Sequence, residues 1–173
     1  MHVLIIADGD SRYGASKSML QMTTELLSMY RDLKVSIVLK KDSNQKDDFE
    51  SLGCQVYCIP YEPYYQSSPY HRWKIIPKYL LRGIGYIWSK FFADRALCKD
   101  LDISLIDIIH SNSSREDFGA LLAKKYNKPF VWHIREYGDM DFKCFSFRKD
   151  YISLMNQIAD QIIAVSDSVA KHW

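Results

Sequence analysis

A chain of 173 residues with 47% hydrophobic and 25% charged residues has the composition of a globular domain with a substantial core. Its formal net charge of +2 is too small to indicate nucleic-acid binding, and its basic residues form no block like a basic arm. The four cysteines show no CxxC spacing, which favours reduced thiols in a cytoplasmic protein. The apolar run at 3–7 is too short for a signal peptide.

Short apolar runs rich in β-branched residues alternate with helical segments along the chain. Several of these runs are almost continuously apolar, as expected of parallel strands that are covered on both faces. Helical spacing of apolar residues predicts helices over 17–30, 116–126 and 149–160. The predicted strands are 2–6, 35–39, 55–59, 107–110, 130–134 and 161–165.

This alternation predicts right-handed βαβ units and a Rossmann-like, doubly wound, mostly parallel sheet of the α/β class. Because no internal repeat or domain boundary is visible, we expect residues 1–173 to form one domain. We expect an irregular, partly helical insertion at about 61–101. Within it, residues 62–70 contain two prolines among tyrosines and serines, which predicts a loop.

The turn after the first predicted strand is a candidate anion-binding loop. The small residues Gly14, Ala15 and Ser16 lie between that strand and the following helix. The free N–H groups and the macrodipole at a helix N-terminus favour a phosphate there. In the alternative interpretation Gly14 only permits a tight turn, and Ser16 or Ser18 only caps the helix.

Asp8 and Asp10 follow the first predicted strand directly. Paired acids at such a place can hold Mg²⁺, as they do in receiver domains. The third predicted strand, however, leads into Pro60, Tyr61 and Glu62, without the aspartate that a phosphoacceptor would need. We therefore interpret Asp8 and Asp10 as structural turn residues.

A run of small polar residues follows the fourth predicted strand, at the sheet edge where open α/β proteins bind ligands. Asn112 and Ser113 in this run offer donors and acceptors suited to hydroxyl groups. In the alternative interpretation, Ser114 only caps the next helix.

Three polar residues of different chemistry follow the fifth predicted strand. His133 can donate to or accept from a sugar hydroxyl, or serve as a base. Arg135 can bind a phosphate or a carboxylate through two N–H groups. In the alternative interpretation, Arg135 and Glu136 form a surface ion pair that contributes little.

The insertion contains a predicted amphipathic helix with basic and aromatic residues. Lys74, Lys78 and Arg82 line up on one side, and an apolar face that includes Trp88 lies opposite. The three basic residues argue against a transmembrane span. These four residues are candidates for contact with an anionic membrane surface. Alternatively, the apolar face packs on the sheet and the basic stripe faces water.

Four segments carry a resemblance to a known family. They are VLII at 3–6 with YGASKS at 13–18, IIHSNS at 108–113, VWHIRE at 131–136, and IIAVSDSV at 162–169. In their order and spacing, these segments resemble the N-terminal half of a family-4 glycosyltransferase of the GT-B fold. The form of the histidine-bearing segment resembles enzymes of bacterial surface-polysaccharide synthesis. The resemblance covers nearly the whole chain.

The resemblance implies the acceptor-binding half of a retaining glycosyltransferase. Such an enzyme transfers a sugar from a nucleotide-sugar to a glycan or to a polyprenyl-diphosphate-linked acceptor, and it generally needs no metal ion. The residues implied at the donor diphosphate are Gly14, Ala15 and Ser16, and His133 is implied beside the transferred sugar. The residues implied at the acceptor or the cleft are Asn112, Ser113, Arg135 and Glu136. A lipid-linked acceptor would bring the chain to the inner face of the plasma membrane as a peripheral protein.

The sequence departs from the family pattern in two respects. Tyr13 stands where the family usually has the first of two adjacent glycines. The donor-binding C-terminal domain, with its pair of glutamates, is not part of this chain. We therefore expect that domain as a partner, and we expect this chain alone to be inactive.

Two other interpretations stay open. A Rossmann-like module could bind a nucleotide or a phosphorylated ligand without catalysis, and it would need only the Gly14 loop. A subunit that works with a separate donor-binding chain would instead have an exposed apolar patch around the last strand and Trp173.

Overall fold

A computed structural model describes most of the chain, with a central parallel sheet and helices on both of its faces. For 65–67, 76–82 and 144–146 only the backbone is described. The described residues are 1–10, 12–40, 45–63, 65–67, 76–138, 140, 144–146 and 151–173.

The elements alternate between strands and helices. The strands are β1 (His2–Ala7), β2 (Lys34–Leu39), β3 (Gln55–Cys58), β4 (Tyr65–Ser67), β5 (Ile108–Ser111), β6 (Phe130–Ile134), β7 (Cys144–Ser146) and β8 (Gln161–Ala164). The helices are α1 (Gly14–Met29), α2 (Gln45–Ser51), α3 (Ile76–Asp100), α4 (Phe118–Tyr126), α5 (Tyr151–Ile158) and α6 (Asp167–His172). A short 3₁₀ turn, Ile103–Leu105, precedes β5.

Six parallel strands form the central sheet, in the order β3-β2-β1-β5-β6-β8. Each predicted strand is present, and its ends lie within one residue of the prediction. Ile5 in the central strand pairs with Ile37 on one side and with His110 on the other. The predicted doubly wound α/β sheet is therefore confirmed.

Helices on both faces explain why the strands are apolar throughout. Alternate residues of β1 enter two separate cores: Leu4 and Ile6 pack with α3, α4 and α5, whereas Ile5 packs with α1 and α2. Trp132 and Phe118 are among the largest fully buried side chains of the first core. At about 1.5–3 kcal/mol for each fully buried large apolar side chain, these cores supply the main driving force for folding.

α1 begins three residues earlier than predicted, at Gly14, and Tyr13 occupies its N-cap position without a side-chain cap. The alternative in which Ser16 or Ser18 caps this helix is wrong, because both residues lie inside it. The alternative in which Gly14 permits a tight turn is also wrong. The described glycine of this loop with a left-handed backbone is Gly9, at a φ of 77°.

The other two predicted helices are present but shorter. α4 begins at Phe118 with Asp117 at its N-cap, so Ser114 does not cap it. α5 covers Tyr151–Ile158 of the predicted 149–160. The observed helix boundaries therefore differ from the predicted ones by more residues than the strand boundaries do, as expected of helix ends.

A short antiparallel ribbon lies outside the main sheet, where β4 pairs with β7. The prediction of a loop over 62–70 is wrong at 65–67, because those residues form β4. Pairing with a segment so distant in the chain leaves no signal in the local sequence pattern. Residues 64 and 68–70 of the predicted loop lie outside the described residues.

α3 forms the helix of the insertion, but the side that faces the sheet is not the expected one. Tyr86 and Lys90 are buried, and Ala93 and Leu97 join the first core. The exposed large apolar residues of α3, each between 44% and 66% exposed, are Ile84, Ile87, Trp88, Phe91 and Phe92. The alternative in which the apolar face packs on the sheet is therefore wrong for 83–100.

Of the predicted membrane-facing residues, the structure describes the side chain of Trp88, which is exposed. Lys74 and the side chains of Lys78 and Arg82 lie outside the described residues. Within the described part of the chain, no helix combines the length and the apolarity that a membrane crossing requires.

Gly119 lets α4 pack directly on the sheet. A Cβ at this position would lie 2.3 Å from Ser111 Oγ and 3.1 Å from the Phe130 ring. We expect Gly119→Ala to lower the free energy of unfolding by about 1–3 kcal/mol, the usual cost of overpacking. Urea unfolding measures this change. Gly85→Ala is the matched control, because a Cβ there meets nothing within 4 Å; equal behaviour of the two variants would contradict the prediction.

Candidate functional site

Three loops meet where the strand order reverses. β1 and β5 are neighbours, with β2 and β3 on one side and β6 and β8 on the other. In open α/β sheets, ligands bind at this switch point, outside the carboxyl ends of the strands. Gly14 follows β1, Asn112 follows β5, and His133 lies near the end of β6. The fold therefore brings the predicted site residues to one edge of the sheet.

Arg135 connects the three loops through its side chain. Its Nε donates to Asn112 Oδ1 over 2.8 Å, and its Nη1 donates to Ser18 Oγ on α1 over 2.8 Å. Its Nη2 lies 3.3 Å from His133 Nδ1. Asn112 in turn donates from Nδ2 to the Ala15 carbonyl over 3.3 Å. The guanidinium is thus the centre of one polar cluster, which we call the Arg135 cluster: Arg135, Asn112, His133, Ala15 and Ser18.

His133 is a neutral imidazole in this cluster, where its Nδ1 accepts a hydrogen bond. Burial and the neighbouring Arg135 lower the pKa of His133 from 6.5 to about 4. Because a guanidinium can only donate, His133 Nδ1 accepts from Arg135, and the ring proton lies on Nε2. Of the roles predicted for His133, donation to an oxygen atom therefore fits, whereas proton abstraction through Nε2 does not.

A second histidine that sequence analysis did not assign to the site lies beside His133. The rings of His110 and His133 stack with centroids 5.7 Å apart and planes 10° apart. Burial, with His133 and Arg135 nearby, lowers the pKa of His110 to about 3. His110 therefore supports the His133 ring without adding charge. The signal that could have identified His110 is its position in β5, the strand that pairs with β6.

Glu136 faces the loop after β5 and not Arg135. Its Oε1 accepts from Ser114 Oγ over 3.0 Å and also from Ser113 Oγ. The alternative of an Arg135–Glu136 surface ion pair is therefore wrong, because the two side chains take separate partners. Glu136 and Ser113, both predicted at the cleft, bind each other and shape the loop.

Three aromatic side chains hold the backbone of these loops. Trp132 Nε1 donates to the Ser113 carbonyl over 2.9 Å, and the Tyr151 hydroxyl donates to the Ser114 carbonyl. Trp173 Nε1 donates to the Glu136 carbonyl over 2.9 Å. No local pattern marks this role, because each of the three residues is also an ordinary core aromatic by its spacing.

Trp173 packs within the chain. A Cβ on Gly138 would lie 3.1 Å from its ring, and Gly138 has a φ of 72° that favours glycine. The Tyr151 and Trp173 ring centroids are 5.7 Å apart. An exposed apolar patch around the last strand is present at Ile162, Ile163 and Val165, whereas the Trp173 ring is partly buried and clamps the loop after β6.

The start of α1 lies beside the Arg135 guanidinium. Gly14 is exposed, and its missing Cβ leaves open space within 4 Å. Ser16, by contrast, is only 5% exposed. Helix N–H groups next to a guanidinium favour an anion. Of the predicted phosphate loop, Gly14 and Ala15 are accessible to such an anion.

Strand order and flanking helices define the class: the chain has the Rossmann-like α/β fold that forms one half of a GT-B glycosyltransferase. No protein-family model and no curated protein matches the chain. Solved structures do match. HepE of Anabaena in complex with UDP-glucose superposes with a TM-score of 0.63 over 99% of this chain, at 14% identity.

Two further structures are similar over most of the chain. MurG of Acinetobacter baumannii has a TM-score of 0.57 over 94% of this chain, at 12% identity. A glycosyltransferase from Rickettsia africae has a TM-score of 0.55 over 99% of it, at 13% identity. The chain spans 39% of HepE, 40% of MurG and 38% of the Rickettsia protein. At these identities the comparisons establish the fold alone.

Proposed function

We propose that this chain is the acceptor-binding half of a retaining glycosyltransferase. The enzyme would transfer a hexose from a nucleotide-sugar to a glycan or a lipid-linked acceptor in bacterial surface-polysaccharide synthesis. One observation carries the proposal: the Arg135 cluster joins a helix N-terminus, a guanidinium and a neutral imidazole at the switch point. HepE, which shares this fold over two-fifths of its length, holds UDP-glucose.

The cluster has the chemistry that a departing diphosphate requires. Negative charge develops on the leaving group, and fixed donors that face it lower the barrier. In the proposal, Gly14 and Ala15 at the start of α1 approach the donor diphosphate. The Nε2–H of His133 donates to an oxygen of the transferred sugar. A nucleotide-sugar is the donor substrate, and no metal ion takes part.

Asn112 and Arg135 are the proposed acceptor and cleft contacts. Both are held by hydrogen bonds to neighbouring loops, which orients them before a ligand arrives. Ser113 and Glu136 act in the proposal by shaping the loop after β5, because each is the other's partner.

The edge of the sheet at β8 offers a surface to which a second half of the enzyme would bind. In the sheet, β8 pairs with β6 and forms the edge of the described strands. Ile162, Ile163 and Val165 in and beside it, with Ile152 on α5, are 43% to 53% exposed. Exposed apolar groups in this number favour contact with further polypeptide. In the proposal that polypeptide belongs to the donor-binding half, on this chain or on another.

Isothermal titration of the purified chain with UDP, GDP and UDP-glucose tests the proposal against a nucleotide-binding module. The acceptor half should show no binding at micromolar ligand concentrations, because most donor contacts lie in the other half. Binding in the micromolar range would instead favour the module. Titration with Arg135→Gln then reports whether that binding uses the Arg135 cluster.

The exposed face of α3 supports peripheral contact with a membrane at the inner face of the plasma membrane. Trp88, Phe91 and Phe92 contact one another edge-on or stacked, and Arg95 lies 4.5 Å above the Phe91 ring. Exposed aromatic residues beside a cation suit the interface of an anionic bilayer. The basic residues Lys74, Lys78 and Arg82 precede this face in the sequence.

We expect Trp88→Ser with Phe92→Ser to reduce binding to phosphatidylglycerol vesicles by tenfold or more. Burial of a large aromatic side chain contributes about 1.5–3 kcal/mol, and about 1.4 kcal/mol is a factor of ten. Cosedimentation measures the change, and the exposed Met29 on α1, as Met29→Ser, is the control. Equal sedimentation of all three proteins would remove the membrane contact from the proposal.

A further inference from the structure

A buried cluster of ionisable groups lies where the segment between β5 and α4 meets α3. Glu116 and Asp117, at the end of that segment, are 2% and 0% exposed, and Lys90 on α3 is 7% exposed. Tyr61, from the segment after β3, and Tyr86 on α3 are buried in contact with them. We call these five residues the Glu116 cluster. Two carboxyl groups therefore share one ammonium in the interior.

Asp117 takes the ammonium of this cluster. Lys90 Nζ lies 2.7 Å from Asp117 Oδ1, and the Tyr86 hydroxyl donates to Asp117 Oδ2. The same ammonium lies 4.8 Å from the centre of the Tyr61 ring and 5.1 Å from that of Tyr86, where the ring faces attract a cation. With an ammonium and a hydroxyl as partners, Asp117 is the carboxyl group that stays ionised.

Glu116 has partners that suit a neutral carboxyl group. Among the described residues, its Oε2 has no hydrogen-bond partner. The Tyr61 hydroxyl lies within hydrogen-bonding reach of the carboxyl group, and it donates to the Ala7 carbonyl over 3.4 Å. Because a hydroxyl has one proton, Tyr61 can donate to an ionised Glu116 only by giving up the bond to Ala7. A protonated Glu116 can instead donate to the Tyr61 oxygen, and both hydrogen bonds then form.

The charged groups that face Glu116 oppose one another. Lys90 on α3 and Lys40 after β2 favour its ionised form. Asp8 after β1 and the adjacent Asp117 favour its neutral form. Two cations therefore act against two carboxylates, and burial has the largest effect. Burial raises the pKa of Glu116 from its ordinary value of 4.5 to about 7.

The segment that ends in Glu116 also carries residues of the candidate site. Asn112 accepts from Arg135 Nε, and Ser113 donates to Glu136. The Glu116 backbone N–H donates to the Ser113 carbonyl over 3.4 Å. An ionised Glu116 would be a buried carboxylate beside an ammonium that is already paired, and local opening of the segment is the route by which water reaches it. The charge of Glu116 is thereby linked to the position of Asn112 and Ser113.

We propose that Glu116 holds a proton in the folded chain near neutral pH, and that loss of this proton to solvent loosens the segment 112–117 beside the Arg135 cluster. The folded chain binds the proton more tightly than the unfolded chain does. The resulting stabilisation is therefore complete below about pH 4.5 and is lost as the pH rises to about 7. This inference does not depend on the proposed function, since it concerns the folded chain without a ligand.

A pH titration of the side-chain carboxyl carbons by ¹³C NMR tests for the proton in the unmodified chain. We expect one glutamate resonance to titrate with a midpoint near pH 7 and to be absent from Glu116→Gln. Titration of every glutamate below about pH 5.5 would mean that Glu116 is ionised at neutral pH, and it would overturn the proposal. An aspartate that titrates near pH 7 would place the proton on Asp117 and would overturn it equally.

Urea unfolding between pH 5 and 8 measures the linkage to stability. The ratio of the unfolding constants of the unmodified chain and Glu116→Gln cancels what both proteins share, including the titration of His110 and His133. We expect this ratio to rise by about tenfold to a hundredfold from pH 5 to 8. Glu25→Gln is the matched control, because Glu25 is exposed on α1. A ratio as constant for Glu116→Gln as for Glu25→Gln would contradict the linkage.

Amide hydrogen exchange at matched pH locates the loosening. At about pH 8, the amides of 112–117 should exchange at least about fivefold faster in the unmodified chain than in Glu116→Gln, whereas those of β2 should exchange equally. At about pH 5.5 the two proteins should exchange equally throughout. Equal exchange of 112–117 at both pH values, or a uniform acceleration of the whole chain at the higher one, would overturn the loosening of this segment.

Discussion

His133→Ala is expected to lower the turnover of a transferase that contains this chain by about 10²–10³-fold, with little change in stability. In the proposal His133 donates to the transferred sugar, and loss of one preorganised hydrogen-bond donor at the reacting centre has an effect of this size. The ring is half-buried at the edge of the sheet, so its removal leaves both cores intact. Steady-state kinetics and thermal unfolding of the same preparation separate the two effects.

His133→Gln distinguishes donation from proton abstraction. The glutamine amide can donate near the position of His133 Nε2, but it cannot act as a base. We expect the turnover of His133→Gln to be at least tenfold higher than that of His133→Ala. His2→Ala is the matched control, because His2 bonds Ser36 at the opposite edge of the sheet. Equal loss in the glutamine and alanine variants would contradict the donor role.

The pH profile gives an independent check on the same role. The pKa of His133 is lowered to about 4, so the ring is neutral at every pH well above 4. We expect no loss of activity from His133 protonation between pH 5 and 8. A loss of activity below about pH 6.5 that disappears in His133→Gln would show that the ring titrates at its ordinary pKa. That result would contradict the neutral state assigned to His133.

Lys90→Met is expected to lower the free energy of unfolding by about 3–5 kcal/mol. The ammonium lies 2.7 Å from Asp117 Oδ1, and Asp117 is fully buried. Removal of one partner leaves an uncompensated charge in the interior, which is the costly way to break a buried pair. Urea unfolding at neutral pH measures the loss.

Two variants control for this effect. Lys125 makes the same kind of pair with Asp94, but its side chain is 55% exposed, so Lys125→Met should cost less than about 1 kcal/mol. Asp117→Asn added to Lys90→Met removes the buried charge and should restore part of the stability. Similar losses in Lys90→Met and Lys125→Met would mean that burial of the pair is unimportant.

The strands of the sheet were predictable because their signal is local. A parallel strand covered on both faces must be apolar at nearly every position, and the runs at 2–6 and 130–134 meet that condition. The chain order of strands and helices then fixes which loops reach the carboxyl edge. For this reason Gly14, Asn112 and His133 could be assigned to one edge before any contact was known.

Contacts within that edge could not be predicted, because they join residues that are distant in the chain. Arg135 takes Asn112 and Ser18 as partners rather than its neighbour Glu136. The protonation state of His133 follows from burial and from that guanidinium. Neither partner choice nor burial leaves a pattern in adjacent residues.

The orientation of α3 separates what the sequence determined from what only the tertiary structure decided. The sequence alone determined that this segment is an amphipathic helix, since spacing defines two faces. Which face packs inward depends on what the core offers. Asp117 on the opposing loop supplies a charge for Lys90, so the buried side of α3 includes this lysine beside Tyr86, Ala93 and Leu97, and Trp88 is exposed. A helix can bury a charged side chain where the rest of the fold holds its partner, and the two come together only on folding.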